Sequence, residues 1–448
     1  MERKYKYHRK NILIIGLAET GRSIARFLIK RECKVLFFDD NQKVRGIRGA
    51  KRIDLKNIKL GVFDYIFVSP GISKKHTLVK KIYQKELKLF SDIELFLYNQ
   101  NFYNKKNTLI AITGTNGKST VAMMIAKAIN SKPLGNYGNL VLDNIESVKK
   151  NIVLEISSFQ LDYIEKMKTN ISIITNIRPD HISHHGSFKK YMEAKLKIAN
   201  NQSKQGFLIL NYDDINLRNI FTEKKFSNSK IIWISRKKSL ETGIFIKNDY
   251  LVDNYFDFSR KKIEAKPFLK LDHNKLNLAI SYACLKAIKK KTSYILEKLQ
   301  NFNGLPHRIE YIGRINDINF FNDSKATNVA ATCSALECFQ KVILIAGGSR
   351  KGDDFQPLKK YSKKIYAVFL YGDTASEIGK ILEKISRTYF CKDLVEAVNT
   401  SYLVSNKSEL KCPILLSPAS ASYGLYKNYE KRGLHFKKIF RELKKSAA

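Results

Sequence analysis

The octapeptide Thr113-Gly114-Thr115-Asn116-Gly117-Lys118-Ser119-Thr120 carries the residue types needed to hold a polyphosphate. Gly114 and Gly117 let backbone N–H groups curl around phosphate oxygens. Lys118 can reach the terminal phosphates, and the Ser119 hydroxyl can bind Mg2+. The spacing is tighter than the usual phosphate loop, because Ile112 stands five positions before Gly117. Three further signals lie downstream. Glu155 closes the apolar run Ile152–Ile156, and an acid at the end of a strand facing such a loop is a hard oxygen donor for a hard cation. A helix-capping carboxylate is the alternative. His181, in Asn176-Ile177-Arg178-Pro179-Asp180-His181, reads as a metal ligand or as a loop histidine. His184 and His185 invite zinc, but no cysteine or second spaced histidine pair accompanies them, and the reading goes against it. Asn274 and Asn277 carry amides that can pair with a purine edge or cap a helix.

The elements that must position these groups alternate regularly. Apolar runs at Asn11–Gly16, Lys34–Phe38, Tyr65–Val68, Leu109–Thr113, Ile152–Ile156, Ile171–Ile174, Phe207–Leu210 and Ile231–Ile234 read as strands. Further runs follow at Asn319–Phe321, Val342–Ala346, Ala367–Tyr371 and Ile414–Leu416. Between them lie helical patterns such as Val121, Met124, Ile125, Ala128 and Ile129, which share one face. Strands alternating with helices predict an α/β protein with mostly parallel sheets, whose ligands sit at the carboxyl ends of the strands. The polar stretch Tyr98–Asn107 and the turn-rich stretch Asn301–His307 divide the chain into three expected domains, 1–100, 101–303 and 304–448.

The 448 residues carry 81 Lys and Arg against 41 Asp and Glu, a formal net charge of +40. The basic residues are spread from Arg3 to Lys445 without a polybasic block, so composition bias explains them better than nucleic-acid or membrane binding. Such a charge can still steer anionic substrates. Hydrophobic residues at 44% exclude a wholly disordered chain, and no run of 18 apolar residues is present. The six cysteines form no C-x-x-C pair and read as free thiols of a cytoplasmic protein. The apolar run Ile12–Ile15 is too short for a signal peptide.

The phosphate loop resembles that of the Mur ligase and folylpolyglutamate synthetase superfamily, ATP-dependent enzymes that join a carboxylate to an amine. Glu155-Ile156-Ser157-Ser158-Phe159-Gln160 is similar to the family's E-x-S-S-F-Q, Asn176–His181 to N-x-x-x-D-H, Ala194-Lys195-x-x-Ile198 to A-K-x-x-I and His273-Asn274-x-x-Asn277 to H-N-x-x-N. Gly304–Glu310 resembles G-x-x-H-R-x-E, and Asn322–Asn328 resembles N-D-S-K-A-T-N. The resemblance implies catalytic roles for Lys118, His181, Lys195 and Lys325. ATP would meet Gly114–Thr120, Asn274, Asn277, Arg308 and Asp323. Two Mg2+ sites are implied, one with Ser119 and one with Glu155, His181 and Lys195, the lysine carbamylated by CO2. Read from its type and place alone, Lys195 is an ordinary exposed helix lysine.

Gly16-x-x-x-Thr20-Gly21, Ser69-Pro70-Gly71, Gly135-Asn136-x-Gly138, Ser417–Tyr423 and Lys427–Gly433 resemble the D-glutamate-adding branch of the family. The Asp-Asn-Pro-Arg motif of the diaminopimelate- or lysine-adding branch is absent from the sequence. The implied architecture is a Rossmann-like UDP-binding domain, a central P-loop-type ATPase domain and a Rossmann-like amino-acid-binding domain, with closure over the nucleotide. The implied substrates are UDP-N-acetylmuramoyl-L-alanine, on Thr20, Asp39, Ser69, Gly71 and Asn136, and D-glutamate, on Lys325, Thr327, Lys351, Ser422, Tyr423 and Tyr429. They would be joined through an acyl phosphate during peptidoglycan precursor synthesis by a cytoplasmic monomer. Gly16-x-Ala18-x-x-Gly21 with Asp39 also lies near a dinucleotide fingerprint, but the middle glycine is missing. Departures from the family pattern are Gly424, Tyr426 and Ser349-Arg350. Two rival classes remain as expectations to test: a nucleic-acid-stimulated ATPase, which lacks a stacking motif, and a catalytically silent UDP-sugar binder, which would not need Lys118, Glu155, His181 and Lys195.

Overall fold

The computed structural model describes residues 7–54, 58–99, 107–136, 139–147, 151–165, 167–200, 202–223, 229–264, 267–270, 272–350 and 354–447. The chain forms two compact units. One comprises Met1–Ile263 with Leu276–Leu299, and the other Glu264–Lys275 with Gln300–Ala448.

The first unit holds two sheets. The smaller is built from β1 (Asn11–Ile15), β2 (Lys34–Phe38), β3 (Ala50–Arg52), β4 (Tyr65–Val68) and β5 (Leu89–Phe90), all parallel in the order 3-2-1-4-5. Ile12 to Ile15 are buried without alternation, as a strand covered on both faces must be. The larger sheet contains β6 (Thr108–Thr113), β7 (Pro133–Gly135), β8 (Asn151–Glu155), β9 (Ile171–Ile174), β10 (Phe207–Asn211), β11 (Lys230–Ser235), β12 (Ile244–Lys247), β13 (Tyr250–Asp253) and β14 (Ser259–Lys262). Its order is 14-13-12-11-10-9-6-8-7. Strands β6 to β12 run parallel, while β13 and β14 extend the edge as an antiparallel meander.

The expected strands of this unit are all present, most within one residue of their expected ends. The short strands β3, β5 and β7 and the edge meander are additions. Two or three residues carry no readable period, and β14 reads Ser-Arg-Lys-Lys with no apolar face. The expected linker overlaps helix Asp92–Asn99 at Tyr98, and 100–106 lie outside the described residues. Polar ties join the two sheets: Asp143 accepts from Ser23 Oγ and from Arg26, both at 2.7 Å, and Tyr163 donates to the Ile72 carbonyl at 2.8 Å.

The second unit carries β15 (Glu310–Ile315), β16 (Ile318–Asn322), β17 (Val342–Gly347), β18 (Ile365–Tyr371), β19 (Arg387–Phe390) and β20 (Ile414–Leu416) in the order 15-16-20-17-18-19. Only β15 is antiparallel to its neighbour. The core strands β17 and β18 are apolar and buried on both faces; helix Leu394–Lys407 covers one face of them, and helix Tyr429–Ser446 packs on β16 and adds Phe436, Ile439 and Phe440 to the same core. Phe369 is fully buried and stacks on Tyr389 at 4.7 Å. Phe369→Ala removes that ring from a close-packed layer and is expected to cost about 3–5 kcal/mol, read as a lowered denaturant midpoint of the full chain.

Candidate active site

Four neighbouring parallel strands end together. In register Ile112 lies beside Glu155, Thr113 beside Ile174, and Gly135 beside Glu155, so the loops leaving β6, β7, β8 and β9 converge at one sheet edge. That edge is where a doubly wound sheet places its ligands.

The loop after β6 turns through Gly114 at φ +146° and Gly117 at φ +86° before helix Lys118–Ala128 begins. A Cβ on Gly114 would lie 2.0 Å from Thr175 Oγ1, so only glycine fits. The segment after β9 holds the loop in shape. Asn176 accepts from Thr115 N with its carbonyl and from Asn116 N with its side-chain oxygen, both at 2.9 Å. Its Nδ2 donates to the Asn116 carbonyl at 3.0 Å, and Thr115 Oγ1 accepts from Arg178 N at 3.0 Å. Ser119 is buried and Thr120 half-buried in the first helical turn. Asn277 lies against the loop, its Oδ1 2.8 Å from where a Gly117 Cβ would stand. Asn274 donates to the Phe268 carbonyl at 3.0 Å within the second unit, as a residue fixing the approach to its helix does.

Lys118 Nζ donates to the Gly114 carbonyl at 2.7 Å and to that of Thr115 at 2.8 Å. Lys195 Nζ donates to the same Gly114 carbonyl at 2.8 Å. The reading of Lys195 as an exposed lysine is therefore wrong: it is 2% exposed, above the Tyr191 ring at 4.7 Å. Burial and the nearby Lys118 charge push its pKa down to about 6, so it is a neutral amine at pH 7. Glu155 is fully buried. Its Oε1 accepts from Asn136 Nδ2 at 2.9 Å, while Oε2 has no hydrogen-bond partner. An orphaned carboxylate oxygen at the strand end fits a cation ligand better than a helix cap, and the cap of the following helix is in fact Ser157. His181 opens the next segment at φ +50°, half-exposed, with Asp180 at 3.4 Å and its ring on Phe159 at 4.8 Å. It borders the cluster at Tyr191, 6.5 Å between rings.

Tyr191 was not singled out from sequence. Its hydroxyl meets Thr115 Oγ1 at 2.9 Å and its ring underlies the Lys195 amine. The signal was available, since residues 191 and 195 share one helix face.

The smaller sheet gathers a second set. Ser69, after β4, is buried and donates to the Gly16 carbonyl at 2.7 Å, with Gly71 in the exposed turn beyond. Asp39, after β2, accepts from Leu17 N at 2.7 Å and Asn41 N at 2.9 Å, which makes it an anchor for the glycine turn as well as an acceptor. Thr20 is half-buried near the start of helix Glu19–Ile29. Gly138 lies outside the described residues.

In the second unit Asp323 is buried, accepting from Ser417 Oγ at 2.7 Å and Ile309 N at 3.2 Å, and burial pushes its pKa up to about 7. Arg308 is exposed and acts on it by charge. Lys325 and Thr327 are half-buried, and Lys325 Nζ lies 5.7 Å from the Tyr429 ring. Ser422 is buried, whereas Tyr423 is exposed. Arg432, part of the quoted Lys427–Gly433 segment but given no role from sequence, is fully buried and spans both segments. It donates to Ser324 Oγ and O at 3.0 and 2.9 Å, and to the carbonyls of Ser420 and Ala421 at 3.1 and 3.2 Å. Lys351 lies outside the described residues.

The comparisons with known proteins agree with this arrangement. Residues 112–285 match the family model "Mur ligase middle domain", and residues 10–91 match "Mur ligase MurD-like, N-terminal domain". The chain is 34% identical to the UDP-N-acetylmuramoylalanine--D-glutamate ligase of Rickettsia bellii, with 98% of each chain covered. It is 32% identical to the Clostridioides difficile enzyme of the same name, over 97% of this chain and 99% of that one. Among solved structures, UDP-N-acetylmuramate-alanine ligase from Thermotoga maritima shares the fold at TM-score 0.55 and 16% identity, covering 97% of this chain and 100% of that one. MurF ligase from Thermotoga maritima in complex with ADP does so at TM-score 0.55 and 13% identity, covering 98% and 97%.

Between about pH 6 and 10.5 the unfolded chain holds a proton at position 195 that the folded chain lacks, so this residue makes stability rise with pH. In CO2-free buffer Lys195→Met is expected to raise stability by on the order of a few kcal/mol at and below pH 6, with the gain shrinking toward pH 10. Denaturant midpoints measured across that range check this.

Proposed function

This chain belongs to the Mur ligase family, and on that premise we infer that it joins D-glutamate to UDP-N-acetylmuramoyl-L-alanine in an ATP-dependent reaction of peptidoglycan precursor synthesis. The carboxylate of the UDP-linked substrate takes the γ-phosphoryl group of ATP to give an acyl phosphate. The amine of D-glutamate adds to that carbonyl, and phosphate leaves from the tetrahedral adduct. Both steps spread negative charge over oxygens, and the protein contributes alignment and charge neutralisation.

The observation that carries the site assignment is the sharing of the Gly114 carbonyl by Lys118 and Lys195. In this reading Lys118 exchanges the loop carbonyls for the phosphate oxygens when ATP binds. The backbone N–H groups of Gly114–Thr120 cradle the phosphates, with Asn274 and Asn277 toward adenine and Arg308 and Asp323 toward phosphate and ribose. Lys195, neutral and buried, has the free lone pair that CO2 needs. Carbamylation turns a group that would repel a cation into an oxygen donor. The donor set then suits Mg2+: Ser119 would hold one ion, and Glu155, through its unpartnered Oε2, with His181 and the Lys195 carbamate would hold another. Bound there, Mg2+ offsets charge on the phosphate oxygens.

Thr20, Asp39, Ser69, Gly71 and Asn136 are assigned to the UDP substrate. Lys325, Thr327, Lys351, Ser422, Tyr423 and Tyr429 are assigned to D-glutamate, with Lys325 guiding the incoming amine. The functional modules are 1–100, 101–303 and 304–448. We further read the enzyme as a cytoplasmic monomer. No described helix is long and apolar enough to cross a membrane.

ADP release is expected to require UDP-N-acetylmuramoyl-L-alanine together with D-glutamate, and L-glutamate is expected not to replace it. Phosphate release that runs equally fast without D-glutamate would contradict the ligase reading. Lys118→Ala is expected to lower kcat by about 100-fold or more. Lys195→Ala should lose activity and regain part of it with a short-chain carboxylic acid. For the intact enzyme, bicarbonate should stimulate turnover above about pH 6, where the amine is neutral, and lose that effect below it. A bicarbonate-free preparation that keeps full activity across the range would remove the carbamate.

A further inference from the structure

Beside the phosphate-loop cluster, two short helices bring three donor atoms together. Helix Ser158–Asp162 ends in a carboxylate, and helix Ile182–His185 ends in two imidazoles. Asp162 Oδ2 lies 3.1 Å from His185 Nδ1 and 4.0 Å from His184 Nε2, and the three ligand atoms all fall within 4.8 Å of one another. His184 Nε2 is buried and has no hydrogen-bond partner. The second nitrogen of His185 lies 3.0 Å from Ser158 Oγ. That is the outer hydrogen bond by which a ligating histidine is usually oriented, and it leaves Nδ1 able to turn a lone pair toward Asp162.

We propose that Asp162, His184 and His185 form a binding site for one divalent cation of the zinc class, separate from the proposed magnesium ligands Ser119, Glu155, His181 and Lys195. Two imidazoles and one carboxylate, with a fourth position left to water, suit Zn2+ or Co2+ and are a poor set for Mg2+, which prefers oxygen. With metal–nitrogen bonds of roughly 2.0–2.1 Å, tetrahedral donors stand about 3.3 Å apart, so Asp162 and His185 are already at that spacing and His184 must close in. The side chains of His184 and Asp162 are each 14% exposed, which leaves His184 room to turn and gives the ion an entry path. The other Asp162 oxygen faces Lys74 at 3.9 Å, so Oδ2 is the one available to the histidines. Lys74 and Lys75 oppose the ion by charge. Burial holds both imidazoles below the usual histidine pKa, so neither must lose a proton to bind. Phe159 packs on all three rings of the segment, His181 at 4.8 Å, His184 at 4.3 Å and His185 at 5.7 Å. An ion here would therefore stiffen the two segments that carry Glu155 and His181.

The site does not depend on the reading of the reaction, and its test needs no turnover. The full chain, stripped with chelator and held in excess Mg2+ without nucleotide, is titrated with Co2+ and followed by its visible absorption. One Co2+ per chain is expected, with the intense bands of four- or five-coordinate cobalt and displacement by Zn2+. Asp162→Asn and His184→Ala should abolish these bands, and Ser158→Ala should weaken binding by about 10–100-fold. Circular dichroism and melting in metal-free buffer establish that each variant is folded, and His184→Gln replaces His184→Ala if the latter is not. No retained Co2+ in the folded wild type, unchanged bands in a folded variant at 162 or 184, or a thiolate-to-cobalt band pointing to cysteine would each overturn the proposal.

Discussion

One carbonyl oxygen, that of Gly114, accepts from the amino groups of Lys118 and Lys195, and much of the central site follows from that crowding. Two ammonium groups cannot share such a place at low cost. Burial and the neighbouring Lys118 charge push the buried Lys195 amine toward its neutral form. A phosphate-loop lysine and a neutral buried amine on a second helix thus meet at one carbonyl, which places a phosphate-binding group beside a nucleophilic amine. The geometry depends on Gly114 itself. Any side chain there would collide with Thr175.

The sheets supply the framework. Parallel strands covered on both faces end in loops at a common edge, and the register of β7, β8, β6 and β9 brings Asn136, Glu155, the phosphate loop and Asn176 side by side. The smaller sheet repeats the device, with Gly16, Asp39 and Ser69 leaving adjacent strands and tied by Ser69 to Gly16 and Asp39 to Leu17. In the second unit a buried guanidinium does comparable work. Arg432 bonds both the segment after β16 and the segment after β20, fixing the backbone on which Lys325 and Ser422 stand.

Most of the framework was legible because buried parallel strands are continuous apolar runs and their helices carry one apolar face. Strands β2, β4, β9 and β20 fall on their expected bounds. What escaped notice were the two- and three-residue strands, the edge meander whose last strand is nearly all basic, and the sheet-edge strands β15 and β19, whose residues are mostly half-buried or exposed. The motifs named Glu155, His181 and Lys195. Tyr191 stands in no motif the reading used, and Asn176 and Arg432 lie inside quoted motifs but carried no assigned role, although both shape the site. Lys195 marks the sharpest difference. Its type and its place on a helix suggest solvent, and only packing against Tyr191 and Gly114 makes it a buried amine.

The sequence alone determined the α/β class and the phosphate loop, because these rest on local periodicity and on residues close together in the chain, and its motifs carried the resemblance that implied the family of reaction. The tertiary structure decided protonation and partnership. A pKa is set by desolvation and by charges brought near through folding, as at Lys195 and Asp323. Asp162 meets His185, 23 positions further along the chain, only because strand β9 returns the backbone to the same edge. Distances of that kind depend on how sheets and helices pack, which linear spacing does not encode.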